Sequence, residues 1–251
     1  MEIRRKPFQG VWNIVLFNWH FYVLAGIGFI GLAIGSLYLP DQLQVPALIA
    51  IILLVLGMFF SLAISHYIYD RSTLYELHWL PDQNDRKLLN INAGLDETSA
   101  FIHSKYPLVG LTVCDFYNPQ KHTEISIKRA RSMYPPYQNT LSIPTDYLAF
   151  PNQTFDTIVA FLAAHEIRDE RERILFFKEL NRVAKANAKI YITEHLRDCP
   201  NFLAYTVGFF HFHSKATWMR TFHAAKFKVL DEIKSTPFIS TFILQKNGDP
   251  L

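Results

Sequence analysis

Between Lys6 and Asp41, and again between Asp41 and Asp70, the chain has no Asp, Glu, Lys or Arg. Few folds tolerate charge-free runs of that length. Residues 21–39 and 45–67 are two apolar stretches, each close to the ~20 residues that cover the hydrocarbon core of a bilayer. The polar turn Pro40-Asp41-Gln42 separates them. In the first stretch Gly26, Gly28, Gly31 and Gly35 recur at spacings that let two helices approach closely. Trp12, Trp19, Tyr22, Tyr67 and Tyr69 suit the interfacial belts. Arg4, Arg5 and Lys6 before the first span, and Arg71 after the second, place both ends on the cytoplasmic side. A cleaved leader would have a shorter apolar core and no second span directly behind it. Residues 8–17 read as an amphipathic segment along the membrane surface. The competing reading is a pair of buried helices in a soluble core. The expected organisation is a multi-pass anchor over residues 1–72 and a cytoplasmic domain over residues 73–251.

That domain is organised around residues 155–198. An apolar run over 157–164 halts at His165-Glu166, and Asp169 with Glu172 three places on is a capping-box signal. Ile174, Phe177, Leu180 and Ala184 then fall on one side of a helix, with Arg173, Lys178, Glu179 and Arg182 on the other. A second apolar run, 189–193, ends in Glu194-His195. Strand, crossover helix, strand makes a parallel sheet buried on both faces. Titratable residues at both strand ends stand where open α/β sheets bind ligands. Upstream lie a strand over 87–91, a turn over 92–99 leading into a helix, and a strand over 110–114 ending at Asp115. A helix over 124–133 is stopped by Tyr134-Pro135-Pro136. A strand over 140–143 and a loop over 144–154 follow. Downstream come an aromatic stretch over 201–213, a helix over 214–226 and two strands, 227–233 and 238–245.

The net charge of +3 is small and scattered, which argues against a nucleic-acid partner. Cys114 and Cys199 make no disulfide framework, stand in no CxxC spacing and fit a reducing compartment.

Over roughly residues 78–246 the order of elements resembles the class I S-adenosylmethionine-dependent methyltransferases. The segment LLNINAGLDETS is similar to that family's glycine-rich motif, with Asn90 at the acidic position, Asn92 and Asp96 at the first and third glycines, and Gly94 retained. Asn92 still suits a tight turn, because Asn tolerates left-handed backbone. The resemblance implies that Asp115 holds the ribose hydroxyls and that Asp146, in TDYLAFPNQTFD, meets the adenine amino group. AAHEIRDERERILFFKELNRVAKANAKIYITEH is similar to the quinone-pathway type, with Ala186-Asn187-Ala188 where the family has Pro-Gly-Gly. A dinucleotide dehydrogenase is disfavoured, since the GxGxxG spacing is absent.

The implied fold is α/β and Rossmann-like: a mostly parallel seven-stranded sheet closed by a C-terminal antiparallel hairpin, preceded by a transmembrane helical hairpin. The implied cofactor is S-adenosyl-L-methionine, held by Asn90, Asn92, Gly94, Asp115 and Asp146. Unpaired N–H groups at the start of the next helix suit its carboxylate. His165, Glu194 and His195 are the candidate catalytic groups, and His211 and His213 the candidate substrate contacts. Each has a plainer reading. His165 fits a loop cap, Glu166 with Arg168 a surface ion pair worth little, and residues 194–198 a salt-bridged loop. His211 and His213 fit interfacial histidines beside Phe209, Phe210 and Phe212.

His165, Glu166, Glu194, His195, His211 and His213 would supply metal donors. No helical HExxH or Cys-based spacing supports that, so no metal is expected. The apolar stretch 201–212 is too short to span a bilayer. It fits a lid facing the membrane, and hence a lipophilic acceptor: a lipid, a quinone-like compound or an aromatic polyene. Two alternatives stay open: a non-catalytic membrane-tethered module on a degenerate fold, and a metal-assisted enzyme using adenosylmethionine for other chemistry. A homo-oligomer is also left open.

Overall fold

A computed structural model describes residues 5–121 and 124–247; Arg4, counted in the charge reading above, lies outside them. The chain divides into two units, one of residues 5–71 and one built from Ser72 onward.

The first unit holds α1 (Gln9–Phe17), α2 (Trp19–Ser36) and α3 (Asp41–His66), the last running into a π-helical turn, Tyr67–Arg71. Both α2 and α3 are long and apolar enough to cross a membrane; mean hydropathy reaches 1.5 in α2 and 2.9 in the run opened by α3. Ile27, Ile30, Leu53 and Phe59 are each at least 60 % exposed. Asp41, expected in the turn, instead opens α3. A carboxylate in the first helical turn is favoured there by the positive end of the helix dipole. The glycines are a second difference. A Cβ added at Gly26, Gly28, Gly31 or Gly35 would meet nothing within 4 Å, so these residues do not line a close contact with α3. Asp70 caps α1, its Oδ1 accepting from Gly10 N at 2.6 Å and its Oδ2 from Val11 N at 3.0 Å, with His66 Nδ1 also 3.0 Å from Oδ2. A Cβ on Gly10 would fall 2.3 Å from Tyr69 Cβ, so only glycine fits.

The second unit is a seven-stranded sheet. Its strands are β1 (Lys87–Asn92), β2 (Gly110–Asp115), β3 (Leu141–Ser142), β4 (Phe155–Phe161), β5 (Ala184–His195), β6 (Phe227–Thr236) and β7 (Ile239–Lys246). They lie in the order β3-β2-β1-β4-β5-β7-β6, with all pairings parallel except those of β7. The helices of this unit are α4 (Ser99–Lys105), α5 (Ile125–Met133), α6 (Glu170–Val183), α7 (Cys199–Tyr205) and α8 (Lys215–Ala224). A 3-10 turn, Ala164–Glu166, follows β4, and another, Thr206–His211, follows α7.

Asp169 caps α6 as its capping box predicts, accepting from Glu172 N at 2.8 Å. The buried face of α6 differs from the expected one. Phe176, Phe177, Leu180 and Val183 are fully buried against Ile158, Ile190, Trp218 and Phe222, whereas Ile174 is only half-buried. Arg173, expected in solvent, is 2 % exposed. Its guanidinium donates to Ile167 O at 3.0 Å and Thr221 Oγ1 at 3.1 Å, and lies over the Trp218 ring, so a buried charge is satisfied. Ala186-Asn187-Ala188 forms no separate turn. The helix runs straight into β5, and a register shift between Phe155 and Thr157 takes up the extra residues.

Candidate active site

β1 ends in the turn that opens α4, and this turn is tied by its own side chains. Asp96 Oδ1 accepts from Thr98 N at 3.0 Å and Ser99 N at 2.9 Å. Asn90 Nδ2 donates to Thr98 Oγ1 at 2.9 Å and Ser99 Oγ at 2.8 Å, and Gly94 N donates to Asn92 Oδ1 at 3.1 Å. Gly94 has φ +100, where a side chain is strained. With those bonds made, Asn90 Oδ1, Asn92 Nδ2 and Asp96 Oδ2 are buried with no hydrogen-bond partner. Orphaned buried polar atoms are costly and rare. The three, two from the end of β1 and one from the turn after it, form a polar cradle of two acceptors and one donor.

Asp115 ends β2, the strand paired with β1 through Asn92. Its Oδ1 accepts from Tyr117 N at 2.8 Å, and its Oδ2 pairs with Arg131 Nη1 of α5. The Arg131 guanidinium stacks 4.4 Å from the centre of the Tyr117 ring. A Cβ on Gly94 would come within 3.1 Å of Arg131 Cδ. One side chain thus covers both Gly94 and Asp115. Sequence reasoning missed Arg131, whose place in α5 carries no motif. Asp146 is exposed and lines a cleft of about 570 Å³ between the loop after β2 and the loop after β3. Glu172 fixes one wall, accepting from Lys121 Nζ at 2.7 Å and from Thr145 Oγ1.

A second cluster stands at the ends of β4 and β5. Glu194 is fully buried. It accepts from His165 N at 3.1 Å, and its Oε2 lies 2.6 Å from His165 Nδ1. His165 Nε2 is 3.2 Å from Glu166 Oε1, and His211 Nε2 is 3.5 Å from the same oxygen. His211 Nδ1 lies 3.2 Å from Glu124, the residue that opens α5. Burial alone would push the His165 imidazole down, but Glu194 and Glu166 outweigh it and raise its pKa to about 10. Burial would raise Glu166, and hydrogen bonds from His165 and His211 reverse this, holding it far below the usual carboxylate range. α5 therefore reaches both clusters, through Arg131 and through Glu124.

The other two histidines are elsewhere. His195 is buried, with Nδ1 2.9 Å from Asn201 Oδ1 and its ring stacked on Phe212. Burial lowers its pKa to about 4. His213 Nε2 lies 3.2 Å from Arg173 Nη1, with its ring edge-on to Trp218. Burial first, then Arg173 and Arg168, lower it to about 3. The structure thus gathers His165, Glu194 and His211, and leaves His195 and His213 in the packing around them.

No protein-family model matches the chain, and no curated protein matches it. Solved structures do. A chain from the complex between the Haloferax volcanii Trm112 methyltransferase activator and the putative methyltransferase superposes with TM-score 0.52 at 11% identity, covering 73% of this chain and 93% of that one. An O-methyltransferase family 2 protein from Planctomyces limnophilus, in complex with apigenin, gives TM-score 0.51 at 14% identity and 76% coverage; this chain spans 60% of its length. A SAM dependent methyltransferase from Aquifex aeolicus gives 0.48 at 16% identity, covering 70% and 94%. The fold from Ser72 onward is the Rossmann-like methyltransferase fold, with its parallel sheet closed by an antiparallel hairpin.

Proposed function

We propose that this chain is a membrane-anchored S-adenosylmethionine-dependent methyltransferase acting on a lipophilic acceptor. The observation that carries the cofactor assignment is the cradle of orphaned atoms at the end of β1. Two acceptors, Asn90 Oδ1 and Asp96 Oδ2, suit an α-ammonium group, and the Asn92 Nδ2 donor suits a carboxylate. An amino-acid moiety carries both. Asp115 suits a ribose diol and Asp146 an adenine amino group, at the strand ends where such sheets hold ligands. When bound, the cofactor supplies an electrophilic methyl group on a sulfonium. The chain's share of the work is alignment, which lowers the barrier by fixing the partners in place. His165 has a carboxylate on each ring nitrogen, Glu194 on Nδ1 and Glu166 on Nε2, so its part is to hold the end of β4 against β5 beside the acceptor side rather than to act as a general base.

Anchoring is supported by the length, apolarity and exposure of α2 and α3. The positive charges flanking the two helices, Arg5 and Lys6 before them and Arg71 after, support a cytoplasmic location for both ends. A lipophilic acceptor is supported by α7 and the turn after it. Phe202, Leu203 and Phe210 are 48 %, 63 % and 62 % exposed there, in the segment that also carries His211. Incubating the full chain with labelled adenosylmethionine should place label in a membrane lipid extract. Label appearing only in a soluble metabolite pool overturns the lipophilic acceptor. A second reading, a non-catalytic tethered module, is favoured by Arg131 lying across Gly94 and Asp115.

A further inference from the structure

We infer that His165, Glu166 and His211 form a binding site for one divalent transition-metal ion. The three ligand atoms lie within 4.8 Å of one another. Metal–nitrogen and metal–oxygen bonds of about 2.0–2.2 Å at tetrahedral angles set neighbouring ligands roughly 3.3 Å apart. His165 Nε2 to Glu166 Oε1 is 3.2 Å, and His211 Nε2 to the same oxygen is 3.5 Å. Two edges of that polyhedron are therefore already built.

The outer partners carry the inference further. A ligating imidazole holds its ring orientation by bonding its other nitrogen to a carboxylate. His165 does so here, with Nδ1 on the fully buried Glu194 at 2.6 Å, while His211 Nδ1 lies 3.2 Å from Glu124 and 2.5 Å from Arg168 Nη2. Each Nε2 is turned toward Glu166. Glu194 also accepts from the His165 amide, and the 3-10 turn is closed by Glu166 N donating to Ala163 O at 3.1 Å, so two of the ligands sit on fixed backbone.

Two imidazoles and one carboxylate suit Zn²⁺, Fe²⁺, Co²⁺ or Mn²⁺ better than Mg²⁺ or Ca²⁺, which take oxygen ligands, or Cu⁺, which takes sulfur. Three protein ligands leave coordination positions for oxygen donors, as in catalytic rather than structural sites. The spacing escapes motif searches because His211 comes from a different connection than His165 and Glu166. Arg168 is the competing cation: its Nη2 lies 2.8 Å from His211 Nε2 and 3.7 Å from Glu124 Oε1. The site is independent of the methyltransferase reading, since the cluster needs no nucleoside.

The test uses the untagged full chain in detergent, stripped with chelator and titrated with Co²⁺, then Zn²⁺. One Co²⁺ per chain should be retained on gel filtration, with visible ligand-field absorption that Zn²⁺ abolishes. Glu166→Gln and His211→Gln, checked by circular dichroism, should each weaken Co²⁺ binding by at least about tenfold. Arg168→Ala should strengthen it severalfold, the opposite sign to any general loosening. No retained ion, affinity unmoved in both ligand variants, or weaker binding in Arg168→Ala each overturns the inference.

Discussion

Arg131 decides how the crevice between β1 and β2 behaves. Its guanidinium pairs with the Asp115 carboxylate that a ribose would use, and its stem covers Gly94. Removing it frees Asp115 while leaving the cradle atoms in place. Arg131→Ala should therefore bind S-adenosylhomocysteine several-fold more tightly in calorimetric titration; weaker binding would mean that Arg131 is itself a ligand contact. His195 belongs to the same scale. Its folded pKa of about 4 lies below the unfolded value, so the unfolded chain takes up the proton first as pH falls. Stability is full above about 6.5 and declines toward 4, by about 3 kcal/mol in all for this group. His195→Gln should flatten that limb in urea titrations at pH 7 and pH 4.5. Asp115 and Gly94 were legible as residues, because a strand-end carboxylate and a turn glycine announce themselves. Arg131 was not: its role comes from where α5 lies.

Among the elements, the start of α6 was read most fully from sequence. Asp169 and Glu172 mark the cap, and the cap is made at 2.8 Å. Asp169→Ala should lower thermal stability by about 1 kcal/mol, seen as a lower midpoint in a melting curve. The face of α6 was misread because Arg173 counts as polar in any periodicity. Its burial depends on acceptors from Ile167 and on Thr221 of α8, which lie outside the helix. The turn expected at 186–188 is absent, since a register shift in β5 absorbs residues that a family pattern spends on a loop. Cluster geometry followed the same logic. His165 and Glu194 stood out as separate candidates because each ends a strand, whereas their pairing, and the entry of Glu124 beside His211, come from the structure.

At the scale of the whole molecule, composition separates the two units. The charge-free runs become α2 and α3, and the charged, periodic remainder becomes the sheet domain. The parallel sheet with its closing hairpin was expected from the resemblance in element order, and the spatial order β3-β2-β1-β4-β5-β7-β6 comes from the structure. The placing of the glycines of α2 was not legible, because spacing alone does not tell which side of a helix faces its neighbour. The central claim is that a sulfonium nucleoside is held where β1 and β2 end. Titrating the full chain in detergent with S-adenosylhomocysteine, beside Asp115→Asn, measures this directly. The account predicts saturable heat with one ligand per chain and a loss of affinity of about tenfold or more in the variant. No heat in either protein, or equal affinity in both, would contradict it.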